Sequence, residues 1–384
     1  MKPIQTFLRG NAIRLLVSAE EAIVNLSNGG IIPSKNFASQ LDLPEIKSDV
    51  RVVSKNQSEV YITKDTPGDF VIMATTDFHF EDDMVLRAKT MNTFIRNIEA
   101  VKPDLIVLTG DIIESDHQQI DCVRFARMME KIGVYWCFVF GNHEARAEKE
   151  YHKWFMLHNK TLYPHCLAIQ GPEDLFGYGN YFINIMDNGK IRQSLVCLDS
   201  GRDINDDYRF SDGLSSRTRG YDYIKRNQMK WYESHINALQ EKYGIVKSLM
   251  FMHIPIKEYE NVFRLDENGK YVPTGKCEIQ YGRQFESIGS SCINSGLFAL
   301  IKKLGSTKAV FSGHDHVNDF CAEYDGVKLV YLQCGGYETY TLGDYAGLPE
   351  KDWMQGATVI KIDKNGDANI SQLLNSRFLE ETIC

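Results

Sequence analysis

From residue 70 onward, short apolar runs alternate with longer segments of helical periodicity. DFVIMATTD (69–77) has the length and composition of a buried strand. The following segment, DDMVLRAKTMNTFIRNIEAVKP (82–103), carries apolar side chains at helical spacing, and its helix should stop before Pro103. DLIVLTGD (104–111) predicts a second strand, QQIDCVRFARMMEKIG (118–133) a second helix and VYWCFVFGNHE (134–144) a third strand. This alternation predicts an α/β fold.

The second half of the chain contains more strand-like runs. They are QSLVCLDS (193–200), VKSLMFMHIP (246–255), TKAVFSGHDH (307–316) and KLVYLQCGG (328–336). Near the end, GATVIKIDKNGDANISQLL (356–374) contains an Asn-Gly turn, which predicts a closing hairpin.

The first 68 residues differ from the rest. Residues 25–49 are rich in Gly, Pro, Ser and Asn, and residues 50–64 (VRVVSKNQSEVYITK) alternate and carry β-branched side chains. The second pattern predicts a strand or a hairpin. We therefore divide the chain into an N-terminal extension of uncertain form, 1–68, and one main domain, 69–384.

Composition narrows the functional classes. Of the 384 residues, 43% are hydrophobic, which is enough to build a large core. A net charge of −8 argues against a protein that coats nucleic acid. The N-terminus lacks the apolar core of a signal peptide, and no apolar stretch approaches the ~18 residues of a membrane span. Nine cysteines without a CxxC pair are typical of a reducing compartment, so we expect a cytoplasmic protein without a membrane or nucleic-acid partner.

Polar residues with metal-ligand chemistry follow five of the predicted strands. They are Asp77 and His79, Asp111, Asn142 and His143, His253, and finally His314 and His316. Any one of them alone is more often a turn, cap or loop residue. Five such strand ends are hard to assign to chance, because the carboxyl ends of strands meet at one edge of an α/β sheet.

The residue types favour two metal ions over a single acid–base pair or a hydrated loop. Carboxylate, amide and imidazole groups suit first-row metals, and one carboxylate can bridge ions ~3.5–4 Å apart. If the chain is extended at the GHDH stretch, His314 and His316 point the same way and Asp315 points away. Asp315 or Asp319 is then a candidate acceptor for the second nitrogen of a ligand imidazole.

The order D-x-H, GD, GNHE, H and GHxH resembles the calcineurin-like metallophosphoesterase superfamily. Residues 220–233, 252–259 and 286–298 also resemble the branch that contains purple-acid-phosphatase-29-like proteins and a yeast cell-cycle phosphatase. The resemblance covers roughly residues 70–340. It implies a four-layer α/β/β/α sandwich of two mixed β-sheets flanked by helices.

The resemblance also implies roles for individual residues. The first metal would be held by Asp77, His79 and His316, and the second by Asn142, His253 and His314, with Asp111 shared by both. The metals would be two divalent or trivalent ions of Mn, Fe or Zn. His143 would act on the substrate oxygen, oriented by Glu114, although Glu114 reads equally well as a solvated loop carboxylate. Arg146 is a candidate substrate contact, with a solvated arginine as the alternative.

The implied reaction is hydrolysis of a phosphomonoester by in-line attack of a hydroxide that bridges the metals. The substrate would be a phosphorylated small molecule or a phosphoprotein. True purple acid phosphatases have a tyrosine where this chain has Glu114, so we expect a colourless site. The alternatives are a phosphodiesterase, for example of cyclic nucleotides, and a non-catalytic scaffold. Because scaffolds of this fold typically lose ligands and this chain has them all, the enzyme is favoured; a nuclease is the least favoured.

Overall fold

The computed structural model describes residues 43–81, 83–115, 118–144, 153, 162–204 and 220–378. Its strands are β1 (Val50–Lys55), β2 (Glu59–Lys64), β3 (Phe70–Thr75), β4 (Leu105–Leu108), β5 (Tyr135–Phe138), β6 (Tyr181–Asp187), β7 (Lys190–Cys197), β8 (Ser248–Phe251), β9 (Phe263–Leu265), β10 (Tyr271–Pro273), β11 (Glu278–Gln284), β12 (Thr307–Ser312), β13 (Asn318–Tyr324), β14 (Val327–Tyr331), β15 (Gly356–Ile362) and β16 (Ala368–Leu374). Its α-helices are α1 (Met84–Val101), α2 (Gln118–Ile132), α3 (Arg226–Tyr243), α4 (Leu297–Leu304) and α5 (Leu342–Ala346). The strands and helices predicted from the apolar runs are therefore present.

The strands form two mixed sheets and one small ribbon. A five-stranded sheet has the order β16-β15-β3-β4-β5, in which β3, β4 and β5 are parallel. A nine-stranded sheet has the order β1-β2-β6-β7-β8-β12-β14-β13-β11, and its central strands β7, β8, β12 and β14 are parallel. Strands β9 and β10 pair only with each other. Helices α1 and α2 make the crossovers that the parallel strands β3 to β5 require.

Side chains of the large sheet alternate between two hydrophobic clusters. On β6, Ile183 packs in the cluster shared with the five-stranded sheet, whereas Phe182 packs in the cluster formed with α3 and α4. This is the two-residue period of a strand buried on both faces. Helices α1 and α2 cover the five-stranded sheet, where Phe125 of α2 lies edge-on to Trp136 of β5 at 5.8 Å between ring centroids. The four-layer α/β/β/α prediction is confirmed.

Helix α1 begins and ends at residues with clear capping chemistry. The side chain of Asp83 accepts hydrogen bonds from the backbone N–H groups of Val85 (2.9 Å) and Leu86 (3.0 Å). At the other end Lys102 adopts a left-handed conformation (φ 50°), and Pro103 follows. Because proline cannot continue the helix, the predicted end before Pro103 is confirmed.

Residues 50–64 form the antiparallel hairpin β1–β2. Of the two structures predicted for this segment, a strand or a hairpin, the hairpin is therefore the one present. Strand β2 continues the nine-stranded sheet by pairing in parallel with β6, and the side chains of Val60 and Ile62 are fully buried. Part of the predicted extension thus belongs to the sheet. The boundary at residue 68 stays a prediction, and residues 1–42 lie outside the described part of the chain. The predicted C-terminal hairpin is the antiparallel pair β15–β16.

The eight cysteines in the described part of the chain are all free thiols, and six of them are buried. Among the described helices, none has the length and apolarity needed to cross a membrane.

A carboxyl group is buried between the two sheets at Asp319 of β13. Its Oδ2 accepts from the side-chain amide of Gln372 on β16, whereas its Oδ1 has no hydrogen-bond partner. Burial raises the pKa of Asp319 to about 8, although Gln372, Gln333 and Arg283 oppose the shift. The carboxyl group is therefore protonated in the folded state at neutral pH.

This burial makes the stability of the fold depend on pH. Between the ordinary carboxyl pKa of 3.8 and the folded value of about 8, unfolding releases the proton of Asp319. The free energy of unfolding should then fall by about 1.4 kcal/mol per pH unit through this group, and the fall should end above pH 8. Asp319→Asn should remove this slope and make the protein more stable than the wild type at pH 8. Urea denaturation of the wild type and of Asp319→Asn at pH 5 and pH 8 measures how the free energy of unfolding depends on pH. The same pH dependence in both proteins would contradict the assignment.

Candidate metal centre

The predicted ligands lie in loops that leave the carboxyl ends of strands in both sheets. Asp77 and His79 follow β3, and Asp111 follows β4 in the five-stranded sheet, while His253 follows β8 in the nine-stranded sheet. Backbone hydrogen bonds tie these loops together: the N–H of His79 donates to the carbonyl of Asp111 at 2.9 Å. Across the sheets, the N–H of His314 donates to Oδ2 of Asp77 at 2.9 Å. The site therefore forms where the ends of the two sheets meet.

The backbone at the site adopts sparsely populated conformations. Among the described residues, seven non-glycine residues have a positive φ, and four are site residues: Asp77 (53°), His79 (46°), Asp111 (50°) and His314 (89°). Each such conformation costs about 1–3 kcal/mol and persists only where surrounding contacts impose it. Such a concentration marks a functional site rather than ordinary loops.

Glycines of the motifs allow the loops to approach one another closely. A Cβ atom on Gly141 would lie 2.0 Å from Oδ1 of Asp111. A Cβ atom on Gly313 would lie 2.1 Å from Oγ1 of Thr76. The glycines of GNHE and GHDH are therefore required because no larger residue fits at these positions.

Three side chains form a first group around Oδ1 of Asp77. The Nε2 atoms of His79 and His316 lie 3.6 Å and 3.7 Å from that oxygen. The rings of His79 and His316 are 4.7 Å apart between centroids. Two atoms bound to one ion at about 2.1 Å are at most about 4.2 Å apart, so these spacings fit one metal ion.

A second group lies around Oδ2 of Asp111. The Nε2 atom of His253 is 3.1 Å from this oxygen and 2.8 Å from Oδ1 of Asn142. His314 completes the group, with its ligand atom within 4.8 Å of those of Asp111 and His253. The Nε2 atom of His79 is 3.6 Å from Oδ2 of Asp111, so Asp111 stands between the two groups.

Four donor atoms of the two groups are buried and lack hydrogen-bond partners. Each of the seven predicted ligands except Asn142 is at least nine-tenths buried. The unpartnered buried atoms include Oδ1 of Asp77, Nε2 of His79, Oδ2 of Asp111 and Nε2 of His314. Buried polar atoms normally have partners, and these four point into the same two groups. The residues therefore fit a pair of metal ions.

Burial keeps two of the imidazoles in the neutral form that a metal ligand must have. Burial lowers the pKa of His314 and His316 to about 3, so both rings are neutral near pH 7, as a ligand must be. Burial alone would also lower the pKa of His253, but Asp111 raises it to about 9. A proton on His253 occupies the lone pair that a metal would take, so metal binding and protonation compete there.

Glu114 links the rings of His79 and His143. Its Oε2 accepts from Nδ1 of His79 at 2.5 Å, and its Oε1 accepts from Nδ1 of His143. Burial would raise the pKa of Glu114, but these two histidines lower it below its usual range. The side chain of His143 is 24% exposed, against 2% for His79. Glu114 thus makes the contact with His143 that the resemblance implied, and His143 is partly exposed.

The predicted acceptors for the second imidazole nitrogens are wrong. Asp315 accepts from the hydroxyl of Tyr331 and from the N–H of Gly289 (2.9 Å), and Asp319 accepts from Gln372. Adjacency in sequence did not indicate these directions, because each carboxylate is turned into the interior instead of toward the site. Asp315 belongs to neither group of candidate metal ligands. The GHDH stretch is not extended, however, because β12 ends at Ser312 and His314 has a φ of 89°.

Three other groups hold the ligands, and sequence reasoning missed them. Nδ1 of His253 donates to the carbonyl of Thr109 (2.8 Å), and Nδ1 of His316 lies 2.9 Å from Oγ1 of Thr339. The buried carboxylate of Glu144 accepts from the N–H groups of Asp111 (2.9 Å) and Gly141 (2.7 Å). The final Glu of GNHE was a visible signal for the last contact; nothing in the sequence marks Thr339. The candidate substrate contact Arg146 lies outside the described residues.

Comparisons with known proteins agree with this geometry. The family model for the calcineurin-like phosphoesterases matches residues 70–318. The "Probable inactive purple acid phosphatase 14" of Arabidopsis thaliana is 29% identical over 315 residues, which are 72% of each chain. "Phosphatase DCR2" of Saccharomyces cerevisiae is 30% identical over 258 residues, or 64% of this chain and 41% of that protein.

A solved structure shares the fold. A dimetal phosphatase from Danio rerio superposes with a TM-score of 0.51 over 80% of this chain and 96% of its own, at 14% identity. At this identity the likeness concerns the fold alone.

Proposed function

The chain belongs to the calcineurin-like phosphoesterase family, and from this premise we propose that it is a dinuclear-metal-dependent phosphomonoesterase. The family and the candidate His/Asp metal clusters make a phosphoesterase plausible. The observation that carries the proposal is the convergence of four unpartnered, buried donor atoms beside His143, a partly exposed histidine that is hydrogen-bonded to Glu114. A purely structural cluster has no need to leave these atoms without partners.

The ligand assignment follows the two groups. Asp77, His79 and His316 would hold one ion; Asn142, His253 and His314 would hold the other, with Asp111 shared. When bound, two such ions supply Lewis-acid activation of water and neutralise charge on a phosphoryl group. Oxygen and nitrogen donors suit Mn, Fe or Zn.

The chain's own residues would then position and protonate the substrate. Nδ1 of His143 donates to Glu114, which leaves Nε2 as the atom that faces a bound phosphate ester. In its doubly protonated form His143 would donate a hydrogen bond or a proton from Nε2 to the leaving oxygen and would remain bonded to Glu114 through Nδ1. Glu144 keeps the Asp111 and Gly141 loops at their close distance. The site thus holds its proton donor before substrate binds.

A non-catalytic function is the second candidate, because relatives such as the Arabidopsis protein carry the word inactive in their names. The seven ligand positions support activity here, since every one has a competent donor. Glu114 stands where purple acid phosphatases have a tyrosine, and it bonds two histidines. We therefore propose that the loaded protein is active and colourless.

A comparison of two substrates tests this proposal. Protein depleted of metal and reconstituted with Mn²⁺ should hydrolyse p-nitrophenyl phosphate with a kcat/KM at least about tenfold above that for bis-p-nitrophenyl phosphate. A preference for the diester would support the phosphodiesterase alternative. Absence of turnover on both would support the non-catalytic alternative.

A further inference from the structure

A pocket lies beside the second metal group and is built largely from three stretches of the chain. It opens on about 310 Å³ of space and is lined by Ser200 together with residues of 222–224, 254–257 and 291–295. These ranges fall within the stretches 220–233, 252–259 and 286–298 that the sequence singled out. The pocket therefore accounts for the parts of these stretches that hold no metal ligand.

Each of the three stretches joins the pocket to the metal centre. The ring of Tyr221 lies 4.2 Å from that of His314 between centroids, and Asp222 follows in the pocket wall. His253 belongs to the second metal group, and Ile254 lines the pocket. A Cβ atom on Gly289 would lie 2.8 Å from Nε2 of His314, and Ser291 lines the pocket two residues later. A phosphate ester bound at the metal groups would thus lie next to this pocket.

The lining combines hydroxyl groups with an apolar floor of isoleucines. Oγ of Ser200 accepts from the N–H of Ile254 (3.0 Å), and Oγ of Ser291 accepts from the N–H of Ile293 (3.1 Å). A hydroxyl that accepts one bond keeps its own O–H to donate. The carboxylate of Asp222 supplies an acceptor in the same wall. This set of groups matches the hydroxyls and C–H faces of a polyol.

The charges at the pocket are matched within the protein. Lys257 donates to Glu260 at 2.7 Å, and Lys225 behind the wall donates to Asp222. Asn294 at the rim donates to Glu258 at 2.9 Å. Among the described residues of this wall, no cation is left to neutralise a second anionic group on the substrate. The space of about 310 Å³ includes the part that is open to solvent, so the walls can enclose only a small group.

We propose that this pocket receives the alcohol part of the substrate and selects a small, uncharged, hydroxyl-bearing alcohol. The proposal rests on the phosphomonoesterase function proposed above. It narrows the substrate class to polyol phosphates. It argues against phosphoproteins and against esters of alcohols that carry a second negative charge.

Three matched esters test the pocket with the Mn²⁺-loaded wild type. Glycerol 1-phosphate should exceed propyl phosphate in kcat/KM by about tenfold or more, since propyl phosphate keeps the carbon chain without its hydroxyls. 3-Phosphoglycerate, which adds a carboxylate, should be poorer than glycerol 1-phosphate. Ser291→Ala should reduce the glycerol-over-propyl preference by about threefold to tenfold, the effect of one lost hydrogen bond. Asn294→Trp should reduce the preference further, because the larger side chain stands at the rim of the pocket. Asn294 is exposed, so the substitution replaces no buried side chain.

Ser290→Ala is the matched control, because Ser290 is the sequence neighbour whose hydroxyl donates to Glu260 at 2.6 Å outside the lining. It should leave the preference unchanged. If p-nitrophenyl phosphate is hydrolysed but glycerol 1-phosphate is not preferred, or neither variant changes the preference, the pocket assignment is wrong. If p-nitrophenyl phosphate is not hydrolysed either, the phosphomonoesterase function itself fails.

Discussion

Asp111→Asn is expected to lower kcat/KM for p-nitrophenyl phosphate by about 10³-fold or more. Oδ2 of Asp111 is 3.1 Å from His253 and 3.6 Å from His79, so one carboxylate serves both metal groups. Asparagine keeps the shape but has one oxygen and no charge. The loss of a shared anionic ligand costs several kcal/mol of transition-state stabilisation, and about 4 kcal/mol corresponds to 10³-fold.

The measurement pairs initial rates with elemental analysis of the purified variant, which should hold less metal per chain than the wild type. Asp319→Asn is the control, because it makes the same substitution at a buried aspartate outside the site. It should keep both metal and activity. Wild-type rates and wild-type metal content in Asp111→Asn would refute the shared-ligand assignment.

His143→Ala is expected to lower kcat by about 10²–10⁴-fold while the metal content stays that of the wild type. His143 is held by Glu114 and is more exposed than His79, so its removal takes away a proton donor and leaves the metal ligands in place. Steady-state kinetics on p-nitrophenyl phosphate and metal analysis of the same preparation separate the two effects.

His165→Ala provides the control for removal of a histidine paired with a glutamate. Nδ1 of His165 donates to Glu130 at 2.8 Å, away from the site. This variant should retain kcat. If His143→Ala lost its metal, His143 would be a ligand in the third cluster that it forms with His79 and Asp111. If it kept full kcat, a proton donor at this position would be excluded.

Local patterns predicted the strands well, because a buried run such as FVIMAT and a capped, proline-ended helix such as α1 are specified by neighbouring residues. The parallel pairing of β2 with β6 was not predicted. Val60 and Ile183 are paired across more than a hundred residues, and nothing within the 50–64 segment indicates a particular partner. Such long-range pairing depends on the assembled sheet.

The residues of the site also divide into those that the sequence predicted and those that it did not. The donors stand directly after strands, so their approximate meeting point follows from the topology of an α/β sheet. The groups that hold the rings come from elsewhere: Thr339 reaches His316 from a loop beyond β14, and Thr109 uses its carbonyl group, which any residue has. Asp315 and Asp319 were wrongly expected to fill this role because proximity along the chain does not set side-chain direction.

The most direct test of the central claim is a titration of metal-depleted protein with Mn²⁺ while p-nitrophenyl phosphate hydrolysis is recorded. Two ligand groups joined by Asp111 predict that activity saturates at two ions per chain. Saturation at one ion per chain, or a fully loaded protein no more active than Asp111→Asn, would contradict a dinuclear phosphoesterase.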